Sequence, residues 1–473
     1  MSIQLTHPFV SLLAEKCEKT PFPAALCLST HVRSDRIISA TAVRGVILKT
    51  LVIKHKTVII AAALILSAAV IIGGCSNISG KNSNTPAPSV SPVPTPEPTP
   101  TPAATATATA TPEPTPEPPA PITATIVAAG DCVIHDALIK AARVAGEDRY
   151  DFIHMFEEVK PFVEKADYAI VSFEGAATNK RNDYSGFPYF NCPPELFDAF
   201  RYAGFDLVNT SNNHQLDRKL SGMFETRENI YRAGLENIGS YDGEEEHRYL
   251  IKDLNGIKVA FMAYTYGSNG NEALLTQEQI SKHLAFFDKA RMEKEIREME
   301  EKADITVVSM HWGHEYWRKP NEQQLSLTKD MFEWGVDIIL GSHPHVVQPT
   351  EIRTVNGETK YVIYSMGNFL SNQWHEWFDD PKDQKWLRED SILVTIELLK
   401  DPETGKTRIN KVNHTPVWVS REGVGTPNVI HRILPIPNRE YYDNSDYPEE
   451  LIIKAYESYD RTVEFFTDYE AGE

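Results

Sequence analysis

Cysteine is scarce and scattered. The five residues Cys17, Cys27, Cys75, Cys132 and Cys192 form no CxxC pair and no dense framework in 473 residues, which excludes a zinc knuckle and a disulfide scaffold. Cys132 and Cys192 are expected as buried free thiols, with a bridge in an oxidising compartment as the alternative. Positive charge is also short, with Lys+Arg 47 against Asp+Glu 66 and a formal charge of −19. That balance argues against a nucleic-acid partner or an anionic membrane surface, while bulk acidity by itself says only that the surface is solvated. Residues 1 to about 50 lack clear hydrophobic periodicity, so the leader 1–57 is left without a fold.

Lys54, His55 and Lys56 precede an uncharged apolar run, residues 58–74. It is at the short limit for a bilayer span and slightly long for a secretory signal core. The run ends Ile72-Gly73-Gly74-Cys75, which resembles the bacterial lipobox, in which the cysteine is lipidated and becomes the mature N-terminus. An uncleaved signal anchor is the alternative. Both readings put the remainder on the extracellular face of the cell membrane, because positive charge stands before the run and not after it. Residues 75–121 turn to Pro, Thr, Ala, Ser and Glu, as in PTPEPTPTP. Nothing there can bury a core, and repeated proline favours polyproline II at about 3.1 Å per residue, so this is a linker that acts as a stalk.

Folded sequence is expected from Ile122. Thr123 to Ala129 and Tyr168 to Phe173 read as strands, Asp136 to Ala145 and Tyr150 to Ala166 as helices. Pro193 to Ala203 and Leu220 to Gly234 read as further helices, and strands flank Asn255-Gly256 and Asn356-Gly357. Alternating strands and helices predict an α/β sandwich with a largely buried sheet over 122–372, and a short β-rich C-terminal extension, 373–473, packing on it.

Histidines collect at strand ends. Ile305 to Met310 stops at His311, and Val336 to Leu340 stops before His343 and His345, with a crossover helix expected over Asn321 to Gly335. Ligands of open α/β sheets sit at the carboxyl ends of strands, and residues i and i+2 of an extended segment face one side, so His343 and His345 are expected to face one ion. Asp131, Glu174, and Asn213 with His214 repeat the pattern on earlier strands. Mixed carboxylate, amide and imidazole donors suit Mn, Fe or Zn better than Ca or Cu(I).

Six stretches carry a resemblance: GD at Asp131, SFEG at Glu174, NTSNNHQLD at 209–217, HWGHEY at 311–316, GSHPHVVQ at 341–348 and YSMGNF at 364–369. In that order they resemble the motif series of the CapA-type poly-γ-glutamate capsule synthesis proteins, whose fold is that of the calcineurin-like metallophosphoesterases. The resemblance implies Asp131, Glu174, Asn213, His311, His343 and His345 as the cradle of two divalent transition-metal ions. It also implies His214 as an acid that protonates a leaving oxygen, oriented by Asp217. Poly-γ-glutamate and membrane capsule-synthesis proteins are the implied partners. A non-catalytic accessory and a broad extracellular phosphatase or nucleotidase are the alternatives. The wider superfamily has Asp-x-His on its first strand, whereas Val133 stands here; His135, read as a surface residue at a helix start, is the nearest substitute. Glu315 is expected either to contact substrate or to lie in a solvated loop. Trp374, Trp377 and Trp386 are expected to form a packed lid or core edge.

Overall fold

Apolar runs closed by turn residues become strands buried on both faces, and these organise the molecule. The computed structural model describes residues 120–244, 247–374, 387–424, 426 and 429–472. The leader 1–57, the apolar segment 58–74, Cys75 and the linker up to residue 119 lie outside the described residues, as do Trp377 and Trp386. Among the described residues no helix is long and apolar enough to cross a membrane.

In chain order the strands are β1 (Ile122–Val133), β2 (Tyr168–Glu174), β3 (Leu207–Asn209), β4 (Glu236–Ile238), β5 (Leu250–Leu254), β6 (Ile257–Thr265), β7 (Ile305–His311), β8 (Ile338–Ser342), β9 (Val347–Val355), β10 (Glu358–Met366), β11 (Asn368–Leu370), β12 (Asp390–Lys400), β13 (Thr407–Glu422), β14 (Ile430–Pro435) and β15 (Tyr469–Glu470). The helices are α1 (Asp136–Ala142), α2 (Lys160–Val163), α3 (Glu195–Ala203), α4 (Lys219–Arg232), α5 (Gln277–His283), α6 (Lys289–Glu300), α7 (Glu322–Trp334) and α8 (Glu449–Thr462). One sheet runs β14-β13-β12-β1-β2-β3-β4, with β11 beside β1 and β15 beside β13; the other runs β5-β6-β7-β8-β10-β9. β1 to β4 are mutually parallel, and so are β6, β7, β8 and β10.

The layers follow from the period of two along a strand. Ile126 and Ala128 of β1 meet Val307, Ile338 and Leu340 of the other sheet, while their neighbours Val127 and Ala129 pack under Leu138, Phe156 and Phe200. Likewise Ile305 and Val307 face the sheet opposite, and Val308 and Met310 face Met292, Ile296 and Met331 of α6 and α7. Helices therefore cover the outer face of each sheet, giving an α/β sandwich with sheet against sheet at its centre. The C-terminal strands belong to the same sheet as β1, since β12 pairs antiparallel with β1 from Ile122 to Ala128.

Several expectations need correction. Residues 150–166 are not one helix but a 3-10 turn, Ile153–Met155, followed by the short α2. Pro161 has no N–H to give to a preceding turn, so a helix cannot run through it. The His343 to His345 segment is not extended, because both histidines have positive φ, +93° and +57°. His135 is not a surface residue; it precedes α1 but is only 9% exposed. Other expectations hold. Asn321 and Gln324 form a reciprocal capping box that opens α7, and Gly335 follows its end. Cys132 and Cys192 are buried free thiols, and Trp374 packs with Trp418, Leu434 and Tyr442.

Candidate metal centre

The parallel halves of both sheets end on the same edge. Asp131 stands near the end of β1, Glu174 closes β2, Asn213 and His214 follow β3, His311 closes β7, and His343 and His345 follow β8. The sheets are tied there by His343, whose N–H donates to Asp131 Oδ2 at 2.9 Å across 212 residues. Gly130 makes the approach possible: β1 shifts register at this point, and a Cβ on Gly130 would lie 2.2 Å from the Gly367 carbonyl. The neighbouring Asp131 N–H donates to that carbonyl at 2.9 Å.

Local side-chain bonds shape the loop after β3. Asn209 Oδ1 accepts from Ser211 N–H at 2.9 Å, and Asn212 Oδ1 accepts from His214 N–H at 2.8 Å, two short bonds that bend the chain back at once. Asn212 Nδ2 donates to the Phe173 carbonyl at 2.9 Å, which pins this loop beside Glu174.

The implied ligands converge. Donor atoms of Asp131, Glu174 and His311 lie within 4.8 Å of one another. His345 stands 3.7 Å from Asp131 through Nδ1 and 3.9 Å from Glu174 through Nε2. His311 Nε2 is 2.7 Å from Asn213 Oδ1, and the His343 and His311 rings are 4.7 Å apart. Each of these side chains is buried.

Burial decides the protonation. It pushes the Asp131 carboxyl up to about 7, against the bonds from His343 N–H and Ser342, and lifts the Glu174 carboxyl well above the carboxylate range with help from the charges of Asp131, Glu315 and Asp217. Burial holds His311 and His345 well below the ordinary imidazole value, and His343 at about 3. Neutral imidazole is the form that ligates a metal. His345 Nδ1 donates to Asn368 Oδ1 at 3.0 Å, which fixes that ring and leaves its Nε2 as the lone-pair atom, while His311 is held between Ser342 Oγ, 3.0 Å from Nδ1, and Asn213 Oδ1, 2.7 Å from Nε2.

Asp131 Oδ1, Glu174 Oε2 and His343 Nδ1 are buried without a hydrogen-bond partner. Two buried carboxylates with unpartnered oxygens beside neutral imidazoles are costly unless a cation sits between them. The donor set therefore fits a divalent transition metal. Val133 is apolar and buried, and His135, whose Nδ1 lies 3.0 Å from the Val133 carbonyl, is in neither group of converging donors among the described residues.

Beside the cradle stands a dyad. His214 Nδ1 is 2.8 Å from Asp217 Oδ2, an oxygen that also accepts Phe190 N–H at 2.7 Å. The other nitrogen, Nε2, lies 3.9 Å from Glu174 Oε1. The Phe190 ring meets the imidazole edge to face at 4.8 Å.

Asn269 went unread in the sequence. Its amide lies between Asn213 and His214, accepting from Asn213 Nδ2 and meeting His214 Nε2, both at 3.3 Å. Asn368 and Ser342 were visible inside the quoted motifs, but spacing gave them no role. Tyr266, whose ring tilts over His343 at 4.8 Å, directly follows the apolar strand β6 but lies in no quoted motif.

Several known proteins are similar to this chain. The chain is 27% identical over 312 residues to "PGA biosynthesis protein CapA" of Bacillus subtilis (strain 168), covering 64% of this chain and 76% of that one. It is 30% identical over 264 residues to "Capsule biosynthesis protein CapA" of Bacillus anthracis, covering 53% of this chain and 59% of the relative. Among solved structures, a calcineurin-like phosphoesterase, YfkN, from Bacillus subtilis aligns with 73% of this chain and 99% of its own, at 14% identity and a TM-score of 0.38. A phosphatase from Mycoplasma pneumoniae aligns with 63% and 94%, at 13% identity and a TM-score of 0.37. The family described as "Bacterial capsule synthesis protein PGA_cap" matches residues 125–373, more than half of the chain, and to that family the chain belongs.

Proposed function

We propose that the chain works at the outer face of the cell membrane, held by a lipid on Cys75 or by the segment 58–74, in making, transferring or anchoring poly-γ-glutamate. Its partners on this reading are the polymer and the membrane capsule-synthesis proteins. The chemistry is ester or phosphoester hydrolysis or transfer at a site for two ions of Mn, Fe or Zn. The observation that carries the reading is the set of unpartnered buried atoms on Asp131, Glu174 and His343, gathered with His311 and His345 at the strand ends.

Asp131, Glu174, Asn213, His311, His343 and His345 would hold the ions. A bound pair supplies an activated water and a clamp for the oxygens exchanged in a displacement. The chain's own contribution is to hold and move a proton. Asp217 keeps Nδ1–H of His214 pointed at itself, which turns Nε2 toward Glu174 and the mouth of the cradle. Protonated there, His214 can deliver a proton to a departing oxygen. In the neutral ring Nε2 accepts from Asn269 Nδ2, and the Phe190 ring packs against the imidazole.

Metal content tests the reading. Elemental analysis of the full chain is expected to give two equivalents of a transition metal, reduced in His343→Ala and His345→Ala. No metal in the parent after reconstitution would overturn it. Val133 favours a second reading, a non-catalytic accessory with one ion, because the first strand has a single donor where the wider superfamily has two; a single equivalent and no turnover is its outcome.

A further inference from the structure

Glu315 lies in the loop after β7, and that loop is fastened to the turn bearing His343 and His345. Tyr316, at a φ of +66°, donates its N–H to the Pro344 carbonyl at 2.7 Å. Fully buried Gln348 donates from Nε2 to the carbonyls of Trp317 at 2.6 Å and Lys319 at 3.2 Å, while its Oε1 accepts from Gln324 at 2.9 Å. Gly313 passes so close to Gln324 that a Cβ there would sit 2.7 Å from Oε1, and Arg388 lies 4.1 Å over the Tyr316 ring. A merely solvated loop needs no such fastening.

The fastening has a geometric result. A carboxylate oxygen of Glu315 and ring nitrogens of His343 and His345 lie within 4.8 Å of one another. One of the two rings offers the unpartnered Nδ1 of His343. Glu315 is exposed whereas His343 and His345 are buried, so its carboxylate stands at the solvent side of that group.

We propose that Glu315 is a further ligand of the metal centre, a carboxylate that closes over its mouth on the side of His343 and His345 and makes up the donor that Val133 leaves short. The proposal rests on the metal reading above. Its chemistry is consistent in charge. Three carboxylates opposite two divalent ions leave a small positive excess that still attracts an anionic ester, whereas an unbound Glu315 at the entrance would repel one.

Metal titration of the full chain tests it without reference to turnover. Parent, Glu315→Gln and Glu315→Ala are each titrated with Co(II), following bound equivalents by elemental analysis after dialysis and the visible absorption of the bound ion. The glutamine form keeps shape and polarity but loses the anionic oxygen, so one equivalent is expected to weaken by at least about tenfold, with an altered absorption band, while the other equivalent is kept. Near-ultraviolet circular dichroism unchanged from the parent shows that the fold is intact. Titrations and spectra superimposable on the parent's, with His343→Ala still losing metal, overturn the Glu315 assignment alone. A parent that binds no Co(II) overturns both it and the metal reading.

Discussion

The His214–Asp217 dyad makes a claim that can be separated from metal binding. If His214 protonates a leaving oxygen, His214→Ala should be harmless to an ester whose leaving group departs without a proton and harmful to one that needs it. A positioned general acid contributes about 10²- to 10⁴-fold, so that is the expected loss in kcat/KM on an alkyl phosphoester, with a far smaller loss on a nitrophenyl one. Asp217→Asn is the finer probe. Asp217 Oδ2 accepts from both His214 Nδ1 at 2.8 Å and Phe190 N–H at 2.7 Å, and an asparagine oxygen in that place can accept both bonds without the charge. Replacing a charge-assisted bond by a neutral one costs about 1 to 1.5 kcal/mol, or roughly tenfold in rate on the alkyl ester. The assay is steady-state turnover on the two substrates, with metal content measured on the same preparations. Equal losses on both esters, or metal lost together with turnover, would refute the acid role.

Two further outcomes concern the scaffold. Gly130→Ala places a Cβ 2.2 Å from the Gly367 carbonyl, so β1 must move away from β11. A stability loss of about 1 to 3 kcal/mol in urea unfolding is expected, with weaker metal binding because Asp131 moves with the strand. His431 is buried with Nε2 3.0 Å from Asn372 Oδ1, and burial, then Arg421 and His154, hold it at about 4 against the ordinary 6.5. The unfolded chain takes up a proton that the folded one refuses, so this contribution is present above about 6.5 and is lost as pH falls toward 4. Urea midpoints at several pH values in that window should fall less steeply in His431→Gln than in the parent.

The order of elements was readable wherever one local signal sufficed. Asn321 and Gln324 announce the start of α7, Gly335 its end, and the Asn255-Gly256 and Asn356-Gly357 turns join antiparallel pairs. The pairing of two sheets was not readable. A strand such as Ile305–His311, apolar on both faces, does not say which face meets a helix and which a second sheet. Asp131, Glu174, Asn213 and the histidines could be singled out because each stands at or soon after the end of an apolar run. Asn269 stands four residues beyond the apolar run of β6, as Asn213 stands four beyond β3, but Asn269 lies in no quoted motif, and its place between Asn213 and His214 is set by tertiary structure. The backbone at His343 and His345 was misread for a related reason. Alternation predicts two rings on one side of an extended chain, whereas left-handed conformations at both residues bring them to the cradle by a turn.

Charge gives the site its logic. If the proposed anionic polymer is the partner, a chain of formal charge −19 repels it on balance, and an encounter needs a local exception. Among the described residues, no Lys or Arg forms an ion pair with Asp131 or Glu174; the partners within reach are His214 and His345. Cradle and mouth without ions are thus a concentration of carboxyl groups, Glu315 included, held in low dielectric where their field is strongest. Divalent ions bound there would reverse that sign locally. On this argument the same ions that would activate a water also decide where an anionic chain can touch the protein. Binding and chemistry would then fall at the same strand ends.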